Sequence, residues 1–414
     1  MIARLLALVA LLLAMPTAAH LTPNSEILVD IGQARAKLTI TVPIGELAYA
    51  GVMDHRPATL GTYLLNHLAV TGADGRRWQA MILNTTISRD TAPDVIATVM
   101  LDPPTGTSPR AFTLRYDAVI DRVPNHFTLV MLKSDFEAGH LSDRPRMLGG
   151  LREGATRLNI ARGPGSAWRG FVSAVGLGMH HIAEGHDHLL FLIALLLPAP
   201  LLASGGHWGR YAGLRHMLVA LAKVVTAFTI GHSLTLIGGA FFGWTLPARP
   251  VESLIALSIL ISAAHAWRPI FAAREPLIAG LFGLVHGMAF ATLIGRFGLE
   301  PKQKAQSILG FNIGIEIVQL CVVAAMAPGL VALARTTHYT AFRRTIAAVA
   351  GLAAAVWFVE RALGREYGGS AAIDSAMDHA GWLLGAFAVM SVVWLLQERR
   401  ANKATRSPRT EPSC

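Results

Sequence analysis

Cysteine is almost missing from this 414-residue chain: there are two, Cys321 inside an apolar run and Cys414 at the last position. That scarcity excludes a disulfide framework in an exported region and a thiolate metal site assembled from this chain alone. Charge is also scarce. Asp, Glu, Lys and Arg make up 15% of the chain against 53% hydrophobic residues, a balance that leans away from soluble domains and toward membrane proteins. No Gly-x-x-x-x-Gly-Lys-Ser/Thr stretch is present to cradle a nucleotide, and no His-Glu-x-x-His pair to support a zinc protease. The net charge of +10 does not argue for nucleic acid, because much of it lies in Arg399, Arg400, Lys403, Arg406 and Arg409 and beside apolar runs. That placement fits membrane topology.

What is present divides the chain by composition. Met1 to Arg4 is basic, Leu5 to Met15 is apolar, and Pro16-Thr17-Ala18-Ala19 ends in small residues. This reads as a signal peptide over residues 1–19, with an apolar stretch too short for a span and His20 as the mature terminus. Residues 20–165 show period-two patterning. Leu38, Ile40 and Val42 alternate with Lys37, Thr39 and Thr41, and Phe112, Leu114 and Tyr116 alternate with Thr113, Arg115 and Asp117. Val95 to Leu101 and Phe127 to Leu132 are short apolar runs, and Gly72-Ala73-Asp74-Gly75 and Asp102-Pro103-Pro104-Thr105-Gly106 are turn signals. The pattern predicts an antiparallel, all-β, sandwich-like domain of about seven strands, closed by the linker Gly163-Pro164-Gly165-Ser166.

Residues 166–398 are dominated by apolar runs. They predict a multi-pass α-helical membrane domain of about seven spans, near 170–199, 216–242, 250–267, 276–298, 304–334, 341–363 and 376–397. Residues 399–414 form a basic cytoplasmic tail. Export of the β domain makes the first span run inward. The inner loops then hold Arg210, Arg215, Arg268, Arg274, Arg335, Arg343, Arg344 and the tail cations, and the outer loops hold Arg249, Arg296, Lys302, Lys304, Arg361 and Arg365. The bias obeys the positive-inside rule.

Ionisable residues interrupt the apolar runs. The first span carries His180, His181, Glu184, Asp187 and His188 around Gly185. On one continuous helix His181, Glu184 and His188 share a stripe, and His180, Glu184 and Asp187 form the next one. Phe228-Thr229-Ile230-Gly231-His232-Ser233 lies in the second span, Glu252 opens the third, and Gly283-Leu284-Val285-His286-Gly287 lies in the fourth. Asn312, Glu316 and Gln319 share one face of the fifth. Burying Glu184, Asp187, Glu252 and Glu316 unpaired costs on the order of 10 kcal/mol, and a divalent cation offsets that directly. Imidazole and carboxylate suit nickel, cobalt, zinc and iron, while the missing thiolate argues against cuprous ion.

At these residues the chain resembles the HupE/UreJ family of membrane proteins, associated with hydrogenase and urease maturation, and particularly its longer members with an exported N-terminal domain. The family pattern of histidine, five residues, then Asp-His, with glycine two before the Asp, is met by His181, Gly185, Asp187 and His188. The best-known members have proline after the first histidine, where this chain has Ile182. Phe228 to Ser233 is similar to the second signature of nickel/cobalt transporters, and Val251-Glu252, Val285-His286-Gly287 and Phe311-Asn312-x-Gly314-x-Glu316 extend the likeness over about residues 170–335. The resemblance implies a permease for nickel or cobalt in the bacterial inner membrane, with His181, Asp187 and His188 as the key metal residues and His232 in support. Burial cost and helical face add Glu184, His286, Asn312 and Glu316. The metal is then substrate rather than prosthetic group; the partners are lipid, transition-metal ions and metalloenzyme maturation proteins, without nucleic acid, and acid is expected to weaken transport.

Two other classes compete. One is a metal-binding accessory or sensor that delivers ions without moving them, using His20 with His55, His67, His126 and His140 as a capture site. The other is an intramembrane enzyme or haem protein, with histidines on separate spans as axial ligands; the absent protease motif weighs against an enzyme.

Overall fold

The computed structural model describes residues 25–89, 92–296, 299–365, 367–379, 381–382, 384–391 and 393. The expected signal peptide, His20 and the basic tail lie outside them, as does part of the last expected span. The chain divides into two compact units with the boundary between Ser166 and Ala167.

Among the described residues the first unit contains nine strands. They are β1 (Ser25–Ile31), β2 (Ala36–Pro43), β3 (Leu68–Gly72), β4 (Gln79–Ile87), β5 (Asp94–Asp102), β6 (Ala111–Tyr116), β7 (Thr128–Asp135), β8 (His140–Leu151) and β9 (Arg157–Ala161). A six-stranded sheet has the order β4-β5-β2-β1-β7-β8, and a three-stranded sheet has the order β3-β6-β9. Alternation decides which faces pack. Ala36, Leu38, Ile40 and Val42 of β2 and Val95, Ala97, Val99 and Leu101 of β5 are all buried, and they share one core with Val70, Phe112, Leu114 and Ile160 of the smaller sheet. Two features depart from a purely antiparallel seven-strand sandwich. β1 pairs with β7 in parallel, and two helices, α1 (Ile44–Tyr49) and α2 (Pro57–Asn66), interrupt the strands. Pro57 stands in the first turn of α2, where its fixed φ and missing N–H cost nothing, and Leu60 and Leu64 bury its inner face in the sheet core.

Several buried polar groups in this unit are fastened to one another, although Trp78 Nε1, Tyr116 OH and Thr128 Oγ1 have no hydrogen-bond partner among the described residues. Asp135 is fully buried; Arg110 donates to it through both terminal nitrogens at 2.7 and 3.0 Å, and Arg162 Nε donates at 3.0 Å. His126 is hydrogen-bonded through both ring nitrogens, to Ser25 Oγ at 2.8 Å and Glu46 Oε2 at 2.9 Å. His67 pairs with Asp117 at 2.9 Å. His126 and His67 are therefore committed inside the unit rather than presented as a surface capture site. His140 is half-buried, and burial pushes its pKa down; His55 alone of the four is fully exposed.

The second unit contains eight helices among the described residues: α3 (Ala167–Glu184), α4 (His186–Leu196), α5 (Leu214–Phe242), α6 (Ala248–Trp267), α7 (Glu275–Arg296), α8 (Pro301–Ala334), α9 (Tyr339–Leu363) and α10 (Gly369–Met377). Four of them, α5, α6, α8 and α9, are long and apolar enough to cross a membrane, and α4 and most of α7 are shorter apolar helices. Lipid-type surface follows helical spacing: Ile230, Leu234, Ile237 and Phe241 on α5 and Leu309, Ile313, Ile317 and Leu320 on α8 are exposed.

The first expected span is the clearest departure. It is not one helix but two, α3 and α4, broken at Gly185. A hairpin, β10 (Leu201–Ser204) and β11 (His207–Tyr211), then precedes α5. Gly205 and Gly206 both take positive φ between its strands, the conformation a two-residue hairpin turn requires.

Candidate metal centre

Two close helix pairs set up the site. On α3, Ala174, Gly178 and Ile182 are buried at four-residue spacing and face α8. A Cβ at Gly178 would strike the Phe311 carbonyl, and one at Gly314 would strike the Val175 carbonyl. The same device joins α5 to α7, where a Cβ at Gly231 would strike the Gly280 carbonyl and one at Gly283 the Phe228 carbonyl. Small residues let membrane helices approach to backbone contact. This approach brings His232 of α5 and His286 of α7, both fully buried, beside the broken first span.

Gly185 supplies the remaining geometry. Its backbone is extended rather than helical, and a side chain there would lie 2.7 Å from both the His181 carbonyl and His188 Nδ1. Any Cβ would therefore push against the start of α4. Asp187 falls in the first turn of α4, where a carboxylate suits the helix dipole. Its Oδ1 accepts from the His188 backbone N–H at 2.9 Å and lies 2.8 Å from His188 Nδ1.

Four imidazoles then gather from four helices. Ring centroids are 4.7 Å apart for His181 and His188, 4.9 Å for His188 and His286, and 6.2 Å for His181 and His232. Aromatic rings wall them in. Phe290 and Phe311 stack at 4.1 Å and contact His181, while Phe191 and Phe228 each lie 5.3 Å from His286.

The hydrogen bonds fix two tautomers. His188 Nδ1 faces a carboxylate and so carries the proton, which leaves the lone pair on Nε2. Ser258 spends its hydroxyl proton on the Ile255 carbonyl at 2.7 Å, so at 3.0 Å it accepts from His286 Nε2. The lone pair of His286 is then on Nδ1. Those two atoms, together with His181 Nε2 and both nitrogens of His232, are buried without a hydrogen-bond partner among the described residues. Buried polar atoms left in this state call for an explanation, and an ion bound there is one. The rings nonetheless pack as neighbours: no group of three or more His, Cys, Asp or Glu side chains among the described residues is arranged to hold a metal ion. The donors are chemically suitable, and ligation requires the rings to turn.

The other sequence-expected residues are placed differently. Glu184 is 70% exposed and pairs with His180 at 2.9 Å; the break at Gly185 removes the continuous stripe that would have aligned it with His188. Asn312 is buried beside Phe311 and His232, its Nδ2 donating to the Ile308 carbonyl while Oδ1 makes no close hydrogen bond among the described residues. Glu316 lines a groove of about 280 Å³ with Thr226, Thr229 and Ser233, apart from the imidazoles. Sequence reasoning missed the aromatic walls and Ser258. The signal for the walls was present: Phe228 precedes His232 by four residues and Phe290 follows His286 by four, the spacing that puts two side chains on one helical face.

No curated protein and no solved structure significantly matches the chain. A family model described as HupE / UreJ protein matches residues 156–361, which include all four imidazoles and every helix from α3 to α8. That family and the four membrane-length helices fit a metal-related accessory or transport role in a membrane. Over residues 156–361 the chain belongs to the HupE / UreJ family.

Proposed function

We propose that this protein is a secondary permease for divalent transition-metal ions, with nickel or cobalt as substrate. The observation that carries the reading is the buried cluster of His181, His188, His232 and His286, each of which has at least one ring nitrogen without a hydrogen-bond partner among the described residues. Neutral imidazoles with a carboxylate behind them are good ligands for these ions, and the Asp187–His188 pair resembles the outer-shell carboxylates that orient metal-binding histidines. A helix broken at the site is the arrangement that membrane transporters use to expose backbone and side-chain groups to an ion.

The chain carries no phosphate loop, and the membrane potential alone suffices to drive uptake. Moving two charges inward through 100 mV yields about 4.6 kcal/mol, roughly three decades of accumulation. In the proposed cycle the rings of His181 and His188 rotate toward the ion, His286 and His232 complete the nitrogen set, and relaxation to the packed arrangement releases it. The β unit faces the outside in this reading.

The test is uptake of nickel or cobalt by the full chain in liposomes under an inside-negative potential. His181→Ala, Asp187→Ala and His188→Ala should each slow initial uptake by about tenfold or more; unchanged uptake in all three removes the proposal. Delivery without translocation is the second reading. It is favoured by donors at the surface, His180 with Glu184 and His186 with Asp374 at 3.3 Å and Asp378 at 3.5 Å. Binding without flux in the unaltered protein selects it.

A further inference from the structure

A large cavity of the helical unit lies away from the histidine cluster. It has a volume of about 810 Å³ and lies against the N-terminal part of α5, between the end of α4, the β10–β11 hairpin and the start of α7. Its floor is one face of α5, because Arg215, His216, Val219, Ala220, Lys223 and Val224 recur at helical spacing along it. The other walls are mainly apolar, including Leu195, Leu201 and Trp208. We propose that this cavity binds an anionic phospholipid, its phosphate held between Arg215 and Lys223 and its acyl chains lying along the apolar wall.

The argument starts from depth. α5 has 29 residues and is about 44 Å long at 1.5 Å per residue, against a hydrocarbon core of about 30 Å. Sharing the excess between the two ends leaves Arg215 at headgroup depth. Lys223, eight residues further in, is then several ångströms inside the hydrocarbon. Both side chains are exposed, and neither has an ion pair or hydrogen bond among the described residues. The one acidic residue lining the cavity, Glu275, is engaged by His265, with Nε2 to Oε1 at 3.7 Å. The cavity therefore presents two basic side chains with no free acidic partner among the described residues.

A lysine stem can snorkel toward the interface. That brings its ammonium to the level where phospholipid phosphates lie and where Arg215 already is. Basic pockets between membrane helices recognise anionic headgroups in this way. A free phosphate matches the charge but leaves the apolar walls uncovered. A zwitterionic lipid matches the walls but brings its own cation, which the surplus of positive charge disfavours. The site is independent of the metal reading: it stands whether or not the chain moves metal.

The experiment uses the full chain, stripped of endogenous lipid and placed in nanodiscs of phosphatidylcholine alone or mixed with phosphatidylglycerol. Retained lipid is counted by native mass spectrometry, and thermal stability is followed in parallel. The unaltered protein should retain phosphatidylglycerol over phosphatidylcholine by about tenfold or more, as two basic contacts allow. The double variant Arg215→Gln/Lys223→Gln should fall below about twofold, while Arg215→Lys/Lys223→Arg, which keeps both charges, should hold the preference. Inorganic phosphate added without anionic lipid should not stabilise the protein. Equal retention of the two lipids, a preference that survives in the double glutamine variant, or full stabilisation by phosphate alone overturns the proposal.

Discussion

Two buried histidines, His126 of the β unit and His232 of the helical unit, are handled in opposite ways. In the β unit His126 has a partner on each ring nitrogen, and the neighbouring buried ions are likewise closed: Asp135 is held by Arg110 and Arg162, and Asp30 accepts from Ser134 at 2.6 Å and pairs with Lys37 at 3.2 Å. In the helical unit His232 is as deeply buried, and neither ring nitrogen makes a close hydrogen bond among the described residues, the Asn312 side chain lying beside it. Polar groups satisfied in the interior hold a fold together, because removing one partner strands the other. Polar groups left open in the interior contribute little to the fold, so their presence needs another reason. The proposed function gives His232 that reason, and it needs no relative to state it.

The contrast can be broken by substitution. Asp135→Ala strands Arg110 and Arg162 and should destabilise the β unit by about 3–5 kcal/mol, read as a lowered thermal transition. The decisive pair is His126→Phe against His232→Phe. The first removes two buried hydrogen bonds and should cost about 1–3 kcal/mol, with uptake per folded molecule unchanged. The second removes none and should leave stability within about 1 kcal/mol, yet lower metal uptake by about tenfold or more. A reversed pattern would dissolve the distinction. Ser258→Ala sharpens it further: loss of the acceptor that fixes the His286 tautomer should reduce uptake about tenfold with little change in melting. The smallest effect belongs to Glu184→Gln, whose exposed pairing with His180 predicts less than about a twofold change in uptake.

Much of the fold was legible from periodicity. Alternation in Ala36–Val42 and Val95–Leu101 marks strands because one face of each must be buried, and both segments bury that face completely. Long apolar runs marked α5, α6, α8 and α9 for the same reason. The parallel pairing of β1 with β7 was not legible, since its partners lie about a hundred residues apart and no local signal encodes the match. Nor was the break in the first span. A single glycine in an apolar run does not by itself signal a break, yet the structure uses Gly185 to end one helix and start another, with Asp187 capping the His188 N–H.

That single break also explains how the site compares with its sequence pattern. His181 and His188 come together across the break, at 4.7 Å between rings, while Glu184, which a continuous helix would have put between them, turns outward. His286 and Asn312 lie on buried faces, and Glu316, expected on the same face as Asn312, does not join them because it lines the hydroxyl groove beside Thr229. The groups that wall the imidazoles are phenylalanines, chemically silent in a search for ligands and visible only through their four-residue spacing from His232 and His286.

The most direct measurement is X-ray absorption of nickel or cobalt bound to the full chain in nanodiscs. The account predicts about one ion per chain with several imidazole nitrogens in its coordination shell. That signature should be lost when His181, His188, His232 and His286 are all replaced by phenylalanine in a protein that still folds. An unchanged coordination spectrum in that quadruple variant would contradict it.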